Sequence, residues 1–191
     1  MKELSLNILD ISQNSIKAEA SVIYITIVEN AETLTVTVED DGYGMSREML
    51  ENVTNPFCTS RTTRKVGLGI PFLKEAAEQT GGEFSISSKS REEFPDNHGT
   101  VTKASFFKNH LDYTPLGDIV STISILIQGA GEVETVFSHK IGDAEVNLDT
   151  RELRAVLGED VSLSEPEVME WICSYLSEQY NNIKNESEEN K

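Results

Sequence analysis

The sequence predicts an α+β fold with helices on one face of a sheet. Three observations predict it. The chain opens on an apolar stripe at helical spacing, Leu4, Ile8, Ile11, Ser15 and Ala18. Paired runs of β-branched residues then flank short polar turns. Over the first 108 residues the segments follow in the order α, β, β, α, loop, α, β, β.

The opening stripe, widened by Leu9 and Ile16, predicts a helix from about Glu3 to Glu19. Ser21–Val28 and Thr33–Glu39 flank the polar Glu29-Asn30-Ala31-Glu32 and read as a hairpin. Asp40-Asp41-Gly42-Tyr43-Gly44 breaks the strand pattern, and Ser46 has the chemistry of an N-cap for a short helix. A long loop follows, from about Asn52 to Val66. Gly69 to Gln79 reads as a helix stopped by Gly81-Gly82. Glu83–Lys89 and Thr100–Lys108 are strand-like around a polar loop that contains Pro95, Asp96 and Asn97. Beyond that, Leu116–Ile127 fits either a strand or a short buried helix. Val133–Lys140 and Ala144–Leu148 form a second predicted hairpin across Ile141-Gly142-Asp143. Asp149-Thr150 can cap a helix from Arg151 to Leu157, ended by Gly158. Ser164 and Pro166 start a last helix whose apolar face is Val168, Trp171, Ile172, Tyr175 and Leu176.

The 191 residues include 33 acidic and 16 basic side chains, a formal charge of −17. DNA binding leans on phosphate neutralisation by Lys and Arg, so no nucleic-acid partner is expected. No apolar run approaches the ~18 residues of a membrane helix, and the start lacks the regions of a signal peptide. Cys58 and Cys173 are too few for a disulfide framework and too far apart for a zinc motif. The expectation is a reduced, cytoplasmic protein. Residues 1–110 carry −5 and residues 111–191 carry −12, and the shift falls near the turn-like Tyr113-Thr114-Pro115-Leu116-Gly117. A boundary is expected there, between a domain of residues 1–110 and an acidic extension of residues 111–191 with a hairpin and two helices. The polar KNESEENK end is expected to fray.

Four constellations can carry chemistry. Asp10 and Asn14 lie four apart on the first helix and share a face. An Asn oxygen is a hard ligand suited to magnesium, and a carboxylate one turn away can orient or deprotonate a water. Two polar residues on an ordinary helix surface would have the same spacing. In VEDDGYGM an apolar strand ends in carboxylates followed by Gly-x-Gly, so backbone can approach a flat ligand while a carboxylate accepts from an exocyclic amine. Met45 offers a soft contact to a ring. A tight turn between strand and helix would also look this way. TNPFCTSR and the residues after it concentrate hydroxyls and positive charge, from Thr59 to Lys65. VGLGIPF then places Gly67-Leu68-Gly69 at a helix start, where free N–H groups and the dipole favour an anion. There is no P-loop and no Rossmann fingerprint.

In this order the four elements resemble the GHKL ATP-binding family of DNA gyrase B, the ninety-kilodalton chaperones, histidine kinases and MutL. LDISQNSIKAEA resembles the asparagine box, VEDDGYGM the first glycine box, NPFCTSR the phenylalanine box and VGLGI the second glycine box. Gly99-Thr100 resembles the late Gly-Thr element, so the likeness covers about residues 1–108. It implies the Bergerat fold, a two-layer α/β sandwich with helices on one face of a mixed sheet, here with a small C-terminal α+β extension. It implies ATP and Mg²⁺ as cofactors, with Asn14 on the metal. Asp40 would accept from the adenine amine, Gly42 and Gly44 would admit the base, and Met45 would pack near it. Gly67, Leu68 and Gly69 would donate to the phosphates, and Thr100 would lie beside the adenine carboxylate. The resemblance also implies a lid over the nucleotide, for which Thr59, Arg61 and Lys65, with Arg64, are the candidates. The family's hydrolytic members carry glutamate four residues before the asparagine, where this chain has Asp10, the candidate general base. Its side chain is one methylene shorter, so nucleotide binding is better supported than turnover.

The expected function is therefore a nucleotide-dependent regulatory or interaction module with weak or no ATPase activity. A protein kinase, either a split histidine kinase subunit or a serine kinase like the anti-sigma factors, is the alternative. A complete histidine kinase is not expected, because His98, His110 and His139 read as ordinary loop or surface residues. The acidic C-terminal part is expected to meet an unidentified protein partner, and a homodimer is compatible with the sequence. The ending also looks like a group of small ATP-binding proteins of anaerobic bacteria, encoded near redox-enzyme or hydrogenase genes.

Overall fold

The computed structural model describes residues 3–54, 68–158 and 161–189, with side chains to 186. Twelve elements follow among these residues: α1 (Leu4–Lys17), β1 (Val22–Glu29), β2 (Thr33–Asp40), α2 (Arg47–Val53), α3 (Gly69–Gln79) and β3 (Phe84–Lys89), then β4 (Gly99–Phe107), α4 (Ile119–Ala130), β5 (Glu134–Ile141), β6 (Ala144–Asp149), α5 (Thr150–Leu157) and α6 (Pro166–Glu189). Six strands form one sheet in the order β3-β4-β2-β1-β5-β6. Every pairing is antiparallel except that of β1 with β5, which makes the sheet mixed.

Alternation along the strands decides which face is covered. Ile23, Ile25 and Ile27 of β1, Leu34, Val36 and Val38 of β2, and Phe137 of β5 point into one core. There they meet Leu4, Ile8 and Ile11 of α1, Leu73 and Ala77 of α3, Ile123 and Leu126 of α4, and Ile172 and Leu176 of α6. Contacts run from α3 to α1, from α1 to α4 and from α4 to α6, so these four helices lie side by side over that face. Tyr24, on the opposite face of β1, lies under the guanidinium of Arg151 at the start of α5.

The apolar segment after residue 116 is the helix α4, capped by Asp118, whose Oδ1 accepts from the Ser121 N–H at 2.9 Å. Its β-branched residues made strand and helix equally readable, and the place between α1 and α6 decides for helix. The β1–β2 turn is built by Asn30, whose Oδ1 accepts from the N–H groups of Glu32 and Thr33. The hairpin β5–β6 expected in the acidic extension continues the sheet begun by the first strands. The extension has three helices, α4, α5 and α6, and the polar end expected to fray is helical as far as Glu189.

Further contacts tie distant elements together. The first N–H groups of α1, which no helical carbonyl can satisfy, bond across the chain: Leu4 to the Pro115 carbonyl at 3.0 Å and Ser5 to the Leu116 carbonyl at 2.8 Å. At the far end of β1, Glu29 meets Lys108 Nζ at 2.5 Å, and His139 Nε2 lies 3.3 Å from its other oxygen, in ion-pair range but off the line of a hydrogen bond. His139 Nδ1 sits 2.8 Å from the Tyr180 hydroxyl of α6. At the outer strand β6, Gln179 bonds both backbone groups of Asn147, accepting from its N–H at 3.1 Å and donating to its carbonyl at 3.0 Å. His139, read from sequence as a loop or surface residue, is 2% exposed on the core side of β5. No helix among the described residues is long and apolar enough to cross a membrane.

Candidate functional site

Asp40 ends β2, paired with Ile23 of β1 on one side and Thr100 of β4 on the other. Its two oxygens have different partners. Oδ2 accepts from the Ser15 hydroxyl of α1 at 2.6 Å, and Oδ1 accepts from the Gly42 N–H at 3.0 Å. Burial pushes the carboxyl above the usual carboxylate range, while Ser15 and Gly42 hold it down. The Asp40 carboxylate is thus an oriented acceptor in a partly dry setting.

The glycines beside it are required by contact. A Cβ on Gly42 would come within 2.8 Å of the Ala18 Cβ. Gly44 has φ +67°, and a Cβ there would sit 1.9 Å from the Lys89 carbonyl oxygen. The loop they form is stitched to its surroundings by the Tyr43 N–H on the Ala18 carbonyl and the Met45 N–H on Ser88 Oγ, both at 2.8 Å. Ser88 Oγ also donates to the Gly99 carbonyl and lies 2.8 Å from the Thr100 hydroxyl. The structure therefore brings together Asp40, Gly42, Gly44, Met45 and Thr100, residues separated by up to sixty positions in the sequence.

Asp41, by contrast, turns away from this group. Although burial opposes it, bonds from the Ser21 hydroxyl and the N–H groups of Ser21 and Val22 hold its carboxyl below the usual range. It serves the α1–β1 corner.

On the other side of Ser15 stand Asn14 and Asp10. The Asn14 Nδ2 is buried with no hydrogen-bond partner among the described residues. Asp10 is exposed and packs its Cβ against the bare Cα of Gly69, where a Cβ would come within 2.8 Å. Gly69 opens α3 behind Leu68, and among the described residues no side chain caps this end, so the N–H groups of Gly69 and Ile70, which have no partner within the helix, are candidate donors for an anion. Asp10 thus meets the start of α3 at Gly69, and Asn14 follows one turn further along α1. Thr59, Arg61, Lys65 and Gly67 lie outside the described residues, as do Phe57 and Cys58.

Three participants escaped the sequence reading. Ser15 was legible only as a small member of an apolar stripe, although a hydroxyl in such a stripe is itself a signal that it has a polar partner. Ser88 had no local mark. His98 sits half-buried with Nδ1 2.6 Å from the Gly42 carbonyl oxygen. Two shallow clefts elsewhere, one bordered by Phe84 and Lys103 and one by Val161 and Pro166, contain none of the predicted site residues.

A strand-end carboxylate beside close-packed glycines, with an Asp and Asn helix against an uncapped helix start, belongs to the GHKL class of ATP-binding domain. The chain belongs to the family described as histidine kinase-, DNA gyrase B- and HSP90-like ATPases, whose model matches residues 2–115. It is 28% identical over 92 residues to sporulation kinase C of Bacillus subtilis (strain 168), covering 47% of this chain and 21% of that one. It is 28% identical over 94 residues to the sensor protein KdpD of Clostridium acetobutylicum, covering 47% of this chain and 10% of that one. The chain therefore spans about a fifth or less of the length of these curated relatives. Among solved structures it is similar to the N-terminal domain of a DNA repair protein, with TM-score 0.54 and 15% identity over 83% of this chain and 58% of that one. It is similar also to the Aquifex aeolicus MutL ATPase domain complexed with ADP, with TM-score 0.52 and 15% identity over 82% of this chain and 69% of that one. These structures share the fold.

Proposed function

We propose that the chain binds Mg-ATP and acts as a nucleotide-dependent regulatory module, with little or no hydrolysis on its own. The observation that carries this reading is the Asp40 carboxylate, oriented by Ser15 and Gly42 beside a loop whose glycines let the backbone pack closely against Ala18 and Lys89. The adenine amine would donate to Asp40, and Met45 would lie against the ring. The uncapped start of α3 would donate to phosphate oxygens. Asn14 would offer its Oδ1 as a hard oxygen ligand to magnesium, while its buried Nδ2, without a partner among the described residues, would donate to an acceptor such as a phosphate oxygen. Magnesium ordinarily takes most of its remaining ligands from phosphates and water, and when bound it would neutralise phosphate charge. Asp10 would hold or accept the proton of a water near Gly69. Its short side chain supports binding without efficient turnover, since misplacement by about 1 Å can cost on the order of a hundredfold. The acidic part from residue 111 onward would carry the response to a protein partner, in a protein of the kind found near redox-enzyme genes.

A second reading, a protein kinase, is favoured by the names of the two kinase and sensor relatives over the matched half of the chain. One experiment separates the readings. Protein incubated with γ-labelled ATP and magnesium is followed by calorimetry and by separation of bound ATP, free phosphate and phosphoprotein. Binding with label left on ATP supports the module. Rapid release of free phosphate would overturn it in favour of an ATPase, and label on a serine or histidine in favour of a kinase. Absence of binding would sink both readings.

A further inference from the structure

We propose that His98 is a positioning residue for nucleotide binding, acting on the ligand only through the Gly42–Asp40 hydrogen bond; this rests on the reading of Asp40 as the base acceptor. Four bonds hold the backbone of Gly42 and Tyr43. Two run toward the site: the Gly42 N–H to Asp40 Oδ1 and the Tyr43 N–H to the Ala18 carbonyl. The other two run to the β3–β4 connection, from the Arg91 N–H to the Tyr43 carbonyl at 2.8 Å and from His98 Nδ1 to the Gly42 carbonyl at 2.6 Å.

His98 is the one side chain outside the predicted site that takes part in these bonds. A carbonyl oxygen can only accept, so the His98 proton involved resides on Nδ1. The same glycine donates to Asp40 through its N–H, and its lack of a side chain is forced by Ala18. With His98 in place, Gly42 is pinned from both of its polar groups. Without it, the carbonyl loses its partner, the Gly42–Tyr43 peptide keeps only the Tyr43 N–H bond to Ala18, and the donor that orients Asp40 is held less firmly.

The test uses the full chain. His98→Phe keeps a ring and removes the donor, whereas the Nδ2 of His98→Asn falls at the same place as the imidazole Nδ1 and can donate again. Calorimetry with Mg-ATP should show His98→Phe binding about three- to tenfold more weakly, the loss of one hydrogen bond, and His98→Asn within about twofold of wild type. Without nucleotide, amide exchange at Gly42 and Tyr43 should quicken in His98→Phe and return toward wild type in His98→Asn. The ¹⁵N shifts of neutral wild-type His98 should mark the Nδ1–H tautomer. Unchanged affinity and exchange in folded His98→Phe would overturn the assignment, as would an Nε2–H tautomer. If the ring variant fails to fold, His98→Asn is compared with His98→Asp, which has the same size but cannot donate when ionised; equal affinities would overturn the assignment. Wild type that takes up no nucleotide would bring down the parent reading, while exchange and tautomer would still decide whether His98 holds Gly42.

Discussion

Glu29→Gln is expected to remove a defined part of the acid sensitivity of folding. Glu29 is held at about 2, from an ordinary 4.5, chiefly by His139 and then by Lys108, against the opposing effect of burial. At about 1.4 kcal/mol per pH unit, lowering it from 4.5 to about 2 corresponds to between about 3 and 4 kcal/mol at most. The oblique approach of His139 and the part exposure of the carboxylate place the expected value nearer 2 kcal/mol. A depressed folded pKa means that the unfolded chain binds the proton more readily. The stabilisation is therefore complete above about pH 5 and is lost as the pH falls from 4.5 toward 2. Urea unfolding of wild type and Glu29→Gln at pH 7, 5, 4 and 3 measures it. The gap between the two should be about 2 kcal/mol at pH 7 and 5, and should shrink at pH 3. Asp41, Asp118 and Asp149 also have lowered pKa values, but they are common to both proteins and cancel in the difference. A gap that stays constant from pH 7 to pH 3 would refute the assignment of the shift to Glu29.

Further outcomes follow from the site and the sheet. Asp40→Asn can keep its oxygen toward the Gly42 N–H and turn its amide to Ser15, so the fold should survive while Mg-ATP affinity falls tenfold or more, the worth of a charged hydrogen bond of about 1.5–3 kcal/mol; calorimetry beside a thermal melt checks it. Gly44→Ala must displace the Lys89 carbonyl and adopt a left-handed backbone, so it should cost more than about 2 kcal/mol and lower the melting temperature. Asp10→Glu should raise phosphate release above wild type if reach is what limits turnover, and Asp10→Asn should leave Mg-ATP affinity within about threefold. Gln179→Ala should free both backbone groups of Asn147, seen as faster amide exchange there and as a rise in association on light scattering.

The parts of the molecule legible in the sequence are those whose causes are local. Gly69 to Gln79 could be read to the residue, because the Gly67-Leu68-Gly69 start and the double glycine after it bracket the segment. Asp40, Gly42 and Gly44 were legible because a strand end and a tight turn lie side by side in sequence. The partners that orient them were not. Ser15 reaches Asp40 across 25 positions and His98 reaches Gly42 across 56, and no spacing rule records such a meeting. His139 looked like a surface residue for the same reason, since Tyr180 and Glu29, which make its burial tolerable, come from distant elements. The parallel pairing of β1 with β5 is also invisible to local pattern, because either strand alone would suit an edge or a centre.

That pairing has a consequence for how the chain must be made. On a ribosome, Val22 emerges long before its partner Glu134, an interval on the order of ten seconds at ordinary synthesis rates. During it, β1 can already pair with β2, but its other margin, spanning Val22 to Glu29, has no strand beside it. A nascent chain in that state offers an apolar, β-branched template to any neighbour, including the same segment of the next polypeptide on the message. The nascent chain is thus most exposed to misassembly before its acidic second half exists to shield it, and a slower ribosome would lengthen the hazard.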